Sequence, residues 1–343
     1  TFIHDLVAGR PVFTYPMAPG GFRLRYGRSR NSGLSSQAIH PATMVALDGF
    51  IAVGTQLKVE RPGKATSIAS CDSIEGPIVK LNNGSVVWLE REEDARKFVN
   101  DIEEVLYLGD ILICYGDFLN RAHRLAPVGY CEDQWILDSG FSKKEASIEE
   151  ALRLCKQGKP LHPRYCFRWS SITRAYFDNL VMWLKKGSLS DEKIVLPHVY
   201  SAEEDVAGRD PKRVLELLGI PHLMVDKEHI VIEYPWSLAL LFSLGYLRMS
   251  IPHKDNVLDV VNDLSGSLIK DKNGTTIGAR MGRPEKAKMR KMIGSPHVLF
   301  PVGKEGGKMR TFHSALGKKI VTAEFSVFYC EECKKETIYK ICE

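Results

Sequence analysis

The sequence predicts an α+β chain in which an α/β module sits between two β-rich stretches, and three observations carry that prediction. Segments toward both ends alternate apolar and polar residues with the period of two that a half-buried strand requires. The middle repeats apolar residues at helical spacing and stops at Gly and Pro. Asn83-Gly84 and Asn273-Gly274 each interrupt a strand-like run with residues that favour the positive φ angles of a tight hairpin. At 343 residues the chain has room for two or three domains, with apolar content enough for their cores and no need of disulfides.

Residues 1–124 read as short strands and turns of a small twisted barrel. In "GFRLRYGRSR", Phe22, Leu24 and Tyr26 alternate with Arg23 and Arg25, so a strand would bury the first set and display the arginines. In "TQLKVERPGK", Leu57 and Val59 point one way, and Gln56, Lys58 and Glu60 the other. "GPIVKLNNGSVVWLE" reads as a hairpin, 92–104 as a helix, and "EVLYLGDILICYGDF" as one apolar strand.

Residues 125–250 form the α/β module. "KKEASIEEALRLCKQGKP" and "DNLVMWLKK" are amphipathic helices, and "DPKRVLELLGIPH" starts with Asp210 as N-cap and Pro211 at N1, then stops at Gly219 and Pro221. "HLMVDKEHIVIEY" gives a strand pair ahead of an apolar helix near Pro235. Strands return over 251–325 with the hairpin "SGSLIKDKNGTTIGAR", the basic stretch "GARMGRPEKAKMRKMI" and "HVLFPVG". Over 326–343 a last strand runs into the cysteines of "FYCEEC". There is no internal repeat.

Formal net charge is +5, but the positive charge is concentrated. From Arg280 to Lys291 six basic residues stand against one acid, Glu285, and "RLRYGRSR" adds four arginines with none. Such stripes point to a polyanionic partner. Arg283-Pro284-Glu285 has the form of a helix start, so Arg280, Arg283 and Lys286 would surround free backbone amides that suit phosphate. Lys286 and Arg290 then share a helix face, with Lys288 between them. A solvated charged helix is the competing reading, and the near absence of acids argues against it. Arg23, Arg25, Arg28 and Arg30 offer forked donors suited to phosphate oxygens, although an arginine-rich edge strand also resists aggregation. Lys58, Arg61 and Lys64 form a third cluster. Together these loops would hold a nucleic-acid backbone with an affinity that falls steeply in salt.

Eight cysteines are present, five scattered singly and three, Cys330, Cys333 and Cys342, spaced C-x2-C-x8-C. The scatter fits a reducing, cytoplasmic compartment. The spacing fits part of a tetrahedral zinc ribbon, with unpaired tail cysteines as the alternative and a fourth ligand expected beyond Glu343. A start at Thr1 and a stop beside a cysteine suggest a fragment. The longest apolar run, 236–247, falls short of the ~20 residues of a membrane span, so a soluble protein is expected.

The sequence holds no Walker loop, GxSxG or HExxH motif, and no D-x-D pair to hold two magnesium ions. Asp255, Asp259 and Asp263 read as a solvated helix face. His40, His162, His222 and His297 adjoin prolines or lie in a proline-bounded loop and read as structural.

The segments "GGFRLRYGRSRNSG", "IHPATM", "GTQLKVERPGK", "SIEGPIVKLNNGSVV", "LGDILICYGDF", "YCEDQWIL", "LELLGIPH", "EYPW", "IGARMGRPEKAKMRKM" and "HVLFPVG" occur in an order, over nearly the whole chain, that resembles the large subunit of archaeal family D DNA polymerases. Two departures stand out: "KEGGKMRTF" follows "HVLFPVG" where the family has a Gly-rich stretch, and the chain is short between Cys131 and Leu161.

That resemblance implies a catalytic core of two double-psi β-barrels, one with magnesium-binding aspartates and one basic. This chain would be the basic barrel, interrupted by a KH-like α/β module and followed by the first part of a zinc ribbon. Arg283, Lys286 and Lys288 would contact the primer end or the phosphates of the incoming nucleotide. Arg25, Arg28 and Arg30 would line the same channel, and Arg23, Lys58, Arg61, Lys64, Arg280 and Arg290 would extend the DNA contact. Magnesium ligands would lie outside this chain, which alone would not polymerise DNA, and zinc would be structural. The implied partners are primer-template DNA, deoxynucleoside triphosphates, a small subunit with 3′–5′ exonuclease, and a sliding clamp. A non-catalytic nucleic-acid-binding module with a zinc ribbon, and a related RNA polymerase barrel, are the competing readings.

Overall fold

In the computed structural model, which describes residues 5–7, 10–29, 37–198, 210–246, 251–282, 302, 304–307, 311–322 and 326–341, the predicted alternation becomes a set of short strands. Arg30, Arg283, Lys286, Lys288, Arg290, His297 and Cys342 lie outside the described residues. The chain divides into two units, Thr1–Pro284 and Glu285–Glu343.

In the first unit, β1 (Asp5–Val7), β2 (Arg10–Thr14), β3 (Phe22–Tyr26) and β4 (Gln37–Ile39) precede a short helix, α1 (Pro41–Ala46). Strands β5 (Gln56–Val59), β6 (Ala65–Ser70), β7 (Ile78–Leu81) and β8 (Val86–Trp88) follow. The β7–β8 hairpin turns at Asn83-Gly84 as predicted, with Gly84 at φ 88°. β5 also alternates as predicted, Leu57 and Val59 inward and Lys58 outward.

The helix expected over 92–104 stops early, as α2 (Glu92–Phe98), because Val99, Asn100 and Asp101 are weak helix formers that tighten into a 3-10 turn. β9 (Ile102–Tyr107) then pairs with β7. The apolar run that reads as one strand is two, because the chain turns at Gly109 (φ 83°) before β10 (Asp110–Ile113) and α3 (Tyr115–Leu119). A Cβ on Gly109 would lie 2.5 Å from the Glu75 carbonyl oxygen, so only glycine fits the crossing.

α4 (Glu132–Ser139) is the first helix of the stretch expected to be an α/β module. α5 (Ile148–Lys156) starts on a capping box formed by Ser147 and Glu150, and α6 (Arg174–Leu184) leads into β11 (Ser188–Leu189) and β12 (Lys193–Pro197). α7 (Pro211–Leu218) has the expected caps, Asp210 accepting from the Lys212 amide and Gly219 at φ 70°. β13 (Leu223–Val225) and β14 (His229–Glu233) form the expected pair, then α8 (Trp236–Ser243) and α9 (Val257–Ser265) follow. The sheet runs β11-β12-β14-β13, and its core spans Ile148 to Ile269, so α9 joins the module beyond residue 250.

The chain returns to the larger sheet through β15 (Thr276–Ile277) and β16 (Ala279–Met281). β15 pairs with β3 and β16 with β5, so this one stretch touches both ends of the series β5-β6-β4-β10-β3. Within that series β3 and β10 run parallel, as do β4 and β6. The hairpin expected at Asn273-Gly274 does not form: Gly274 bridges Val128 instead, and Lys272 turns inward. In the second unit α10 (Phe312–Leu316) is capped by Thr311, and the expected last strand shortens to a hairpin of β17 (Phe328–Tyr329) and β18 (Glu336–Thr337). No helix among the described residues is long and apolar enough to cross a membrane.

Candidate nucleic-acid interface

Two of the three basic clusters meet. Antiparallel pairing of β5 with β16 sets Lys58 directly opposite Arg280, Lys58 exposed and Arg280 half-buried. Cross-strand partners share a face with their Cβ atoms roughly 5 Å apart, and like charges there are destabilising unless an anion lies between them. The nearest carboxylate in sequence, Glu60, is committed to backbone: its Oε2 accepts from the amides of Gly278 (3.0 Å) and Met17 (3.2 Å). The Gly278 carbonyl in turn accepts from the Glu60 amide at 2.7 Å. The Gly282 amide, at the end of β16, donates to Gln56 O, and Arg10 Nη1 donates to the Gly282 carbonyl. The chain thus leaves this cationic face and enters the "RPEKAK" stretch.

The third cluster splits. β3 forms as expected, but Arg23 and Arg25 are buried at 4% and 5% exposure, which corrects the expectation that the strand displays them to a nucleic acid. Arg23 pairs bidentately with Asp110 (Nε–Oδ1 2.6 Å, Nη2–Oδ2 3.0 Å) and reaches Glu75 at 3.3 Å. Arg25 bonds Asp110 (3.3 Å), Glu132 (3.0 Å) and Asp133 (2.9 Å). Lys272 and Arg168, from outside β3 and β10, close on Glu75 at 3.1 and 4.0 Å, and Arg168 stacks 4.0 Å from the Tyr107 ring centre. Burial pushes the Glu75 carboxyl up, but Arg23, Lys272 and Arg168 outweigh it and hold it well below the usual range. The guanidinium forks are engaged by internal carboxylates and, at Arg23 Nη1, by the Lys272 carbonyl, because a buried cation without a partner would be prohibitively costly. The signal in the sequence was Asp110 at the head of an apolar strand, whose parallel register places it beside Arg23.

Arg28 remains exposed, its Nε 3.3 Å from Cys114 Sγ. Burial raises the Cys114 thiol, but the Arg28 hydrogen bond, the Gly116 amide and the Arg28 charge together outweigh it and lower the thiol below its ordinary value. Lys64 pairs with Asp117 at 2.9 Å, and Arg61 lies 3.6 Å from Glu60.

Cys330 and Cys333 flank the β17–β18 turn. The Cys330 amide donates to Lys335 O (3.0 Å), the Lys334 amide donates back to Cys330 O (2.9 Å), and Lys334 takes φ 56°. That knuckle suits two thiolate ligands of a tetrahedral metal. Among the described residues no three metal-ligating side chains converge, and Cys342 lies outside them. Of the histidines, His40 and His162 cap helix starts, while His222 is buried with its Nδ1–H donating to Ile220 O at 2.8 Å. Asp263 pairs with Lys254 at 2.6 Å on an exposed face.

Fold and site define a mixed α+β chain with a cationic sheet face suited to an extended anion. The family described as DNA polymerase II large subunit DP2, central domain, matches residues 1–343, and the chain belongs to that family. It is 38% identical to the DNA polymerase II large subunit of Methanothermobacter thermautotrophicus over 99% of this chain and 32% of that protein. It is likewise 38% identical to that of Nanoarchaeum equitans (100% and 31%) and 40% identical to that of Methanococcoides burtonii (94% and 29%). The chain therefore spans about a third of the length of the curated relatives it matches.

Proposed function

We propose that this chain is the basic half of the catalytic core of a replicative DNA polymerase, which transfers a nucleoside monophosphate from a deoxynucleoside triphosphate to a primer 3′-hydroxyl. The observation that carries the reading is the Lys58–Arg280 pair, whose strand continues into "GRPEKAK". Arg283, Lys286 and Lys288 neutralise phosphate charge as it develops in the transition state, while Lys58, Arg280 and Arg290 hold the DNA backbone. Magnesium, held by carboxylates outside this chain, stabilises the attacking and leaving oxygens when bound.

The strands β5, β6, β4, β10, β3 and 276–281 make up the double-psi barrel; the pairing of 276–281 with both β5 and β3 and the two parallel pairs support this. The four-stranded sheet and its helices make up the KH-like insertion. Cys330, Cys333 and Cys342 would hold a structural zinc ion, which takes four ligands in such sites. The complex acts in the cytoplasm with a small 3′–5′ exonuclease subunit and a sliding clamp. In the intact complex, Lys286→Ala sharply lowers primer extension and leaves the unfolding midpoint in place; unchanged extension removes Lys286 from the active centre. An intact complex that binds DNA and never extends a primer is instead a non-catalytic binding module.

A further inference from the structure

Next to Arg28 the surface combines an exposed aromatic ring with cations that make no ion pair. β3 and β10 run parallel with Tyr26 beside Ile113, and the Gly27 amide donates to Ile113 O at 3.1 Å. Both strands therefore leave the sheet at the same end, which is why Arg28 meets Cys114 although they are 86 positions apart. The next residue, Tyr115, opens α3 and is 58% exposed. Phe118, within the same turn, is fully buried with its ring edge-on to Tyr26 at 5.5 Å, so the helix is anchored while the tyrosine stays out.

Lys64 also reaches α3, paired with the buried carboxylate of Asp117. Arg121 Nη1 lies 3.5 Å from Gly63 O, and Arg124 is exposed just beyond it. Among the described residues Arg28, Arg121 and Arg124 form no ion pair, and all three are exposed, as Tyr115 is. An exposed aromatic face with exposed cations on adjoining stretches matches an unpaired strand, which offers both base faces and phosphates; a duplex hides its base faces.

We propose that Tyr115, with Arg28 beside the preceding Cys114 and Lys64, Arg121 and Arg124 on adjoining stretches, is a stacking platform for a base of single-stranded DNA whose backbone those cations hold. This rests on the reading of the chain as part of a DNA polymerase. The test is fluorescence anisotropy of the purified protein with labelled oligothymidylate of about 12 nucleotides and an abasic strand of equal length. Tyr115→Ala weakens oligothymidylate binding by about 5- to 100-fold, the worth of one stacked base, and Tyr115→Phe leaves it within about twofold. The abasic strand binds wild type and Tyr115→Ala alike, and the salt slope is the same for both. Arg121→Ala lowers that slope by about 0.7. Tyr115 is exposed, so its variants keep the unfolding midpoint. Equal binding of oligothymidylate by wild type and Tyr115→Ala, or an equal loss with the abasic strand, overturns the stacking platform and leaves the polymerase reading standing. A wild type that binds no strand at low salt overturns both.

Discussion

Lys58 and Arg280 face each other across the β5–β16 ladder, two cations side by side with the nearest acid, Glu60, turned to backbone amides. Removing one of them costs the fold nothing and relieves a cross-strand repulsion of roughly 0.2–1 kcal/mol. Lys58→Ala is therefore expected to hold or slightly raise the urea midpoint. The same change lowers duplex DNA affinity, and the slope of log K against log salt falls by about 0.9. Titrations at several salt concentrations measure both. A Lys58→Ala slope equal to wild type removes this face from the DNA contact.

Asp110 is wholly buried between Arg23 and Arg25. Asp110→Ala leaves both guanidiniums short of a carboxylate in the interior and is expected to cost about 3–5 kcal/mol, the range for one partner lost from a buried ion pair. Chemical denaturation reads this directly. A loss below about 1 kcal/mol shows that water enters and solvates the pair.

His222 is fully buried, Nδ1 bound to Ile220 O, with no partner at Nε2 among the described residues. Burial, reinforced by Lys212, pulls its pKa from 6.5 down to about 4. Between those values the unfolded chain binds a proton that the folded chain refuses, so stability falls as pH drops through that window. The effect is on the order of 3 kcal/mol, and His222→Asn flattens it. Urea midpoints at pH 4.5 and 7 test this, and equal pH slopes for the two proteins count against it.

Glu75 acts in a lower window. Its depressed carboxyl contributes stability that is fully present above the unfolded pKa of 4.5 and disappears as pH falls through the lower folded value. Lys272→Met weakens that depression, so the Glu75 contribution is smaller and the fall in urea midpoint as pH drops below about 4.5 becomes shallower than in wild type. An unaltered acid transition shows that Arg23 and Arg168 suffice.

Zinc content tests the knuckle at Cys330 and Cys333. The protein expressed in zinc medium is expected to carry metal by elemental analysis, and Cys333→Ser to lose most of it. Retention of zinc in that variant means that other residues hold it.

Local chemistry was legible in the sequence. The caps of α7, the Asn83-Gly84 turn and the alternation of β5 each depend on residues a few positions apart, so a short window contains their whole cause. The period of two in β3 was legible too, but it separates two faces without saying what covers each one. Glu75, Asp110, Arg168 and Lys272 come from four distant stretches, and only their convergence turned the Arg23 face into an interior one. Likewise the basic stripes are plain in the sequence, while the pairing of Lys58 with Arg280 and the meeting of Arg28 with Cys114 follow from strand register and direction. Charge density is a property of the chain, but whether a charge faces an anion, an internal carboxylate or water depends on long-range packing, and that the tertiary structure alone decided.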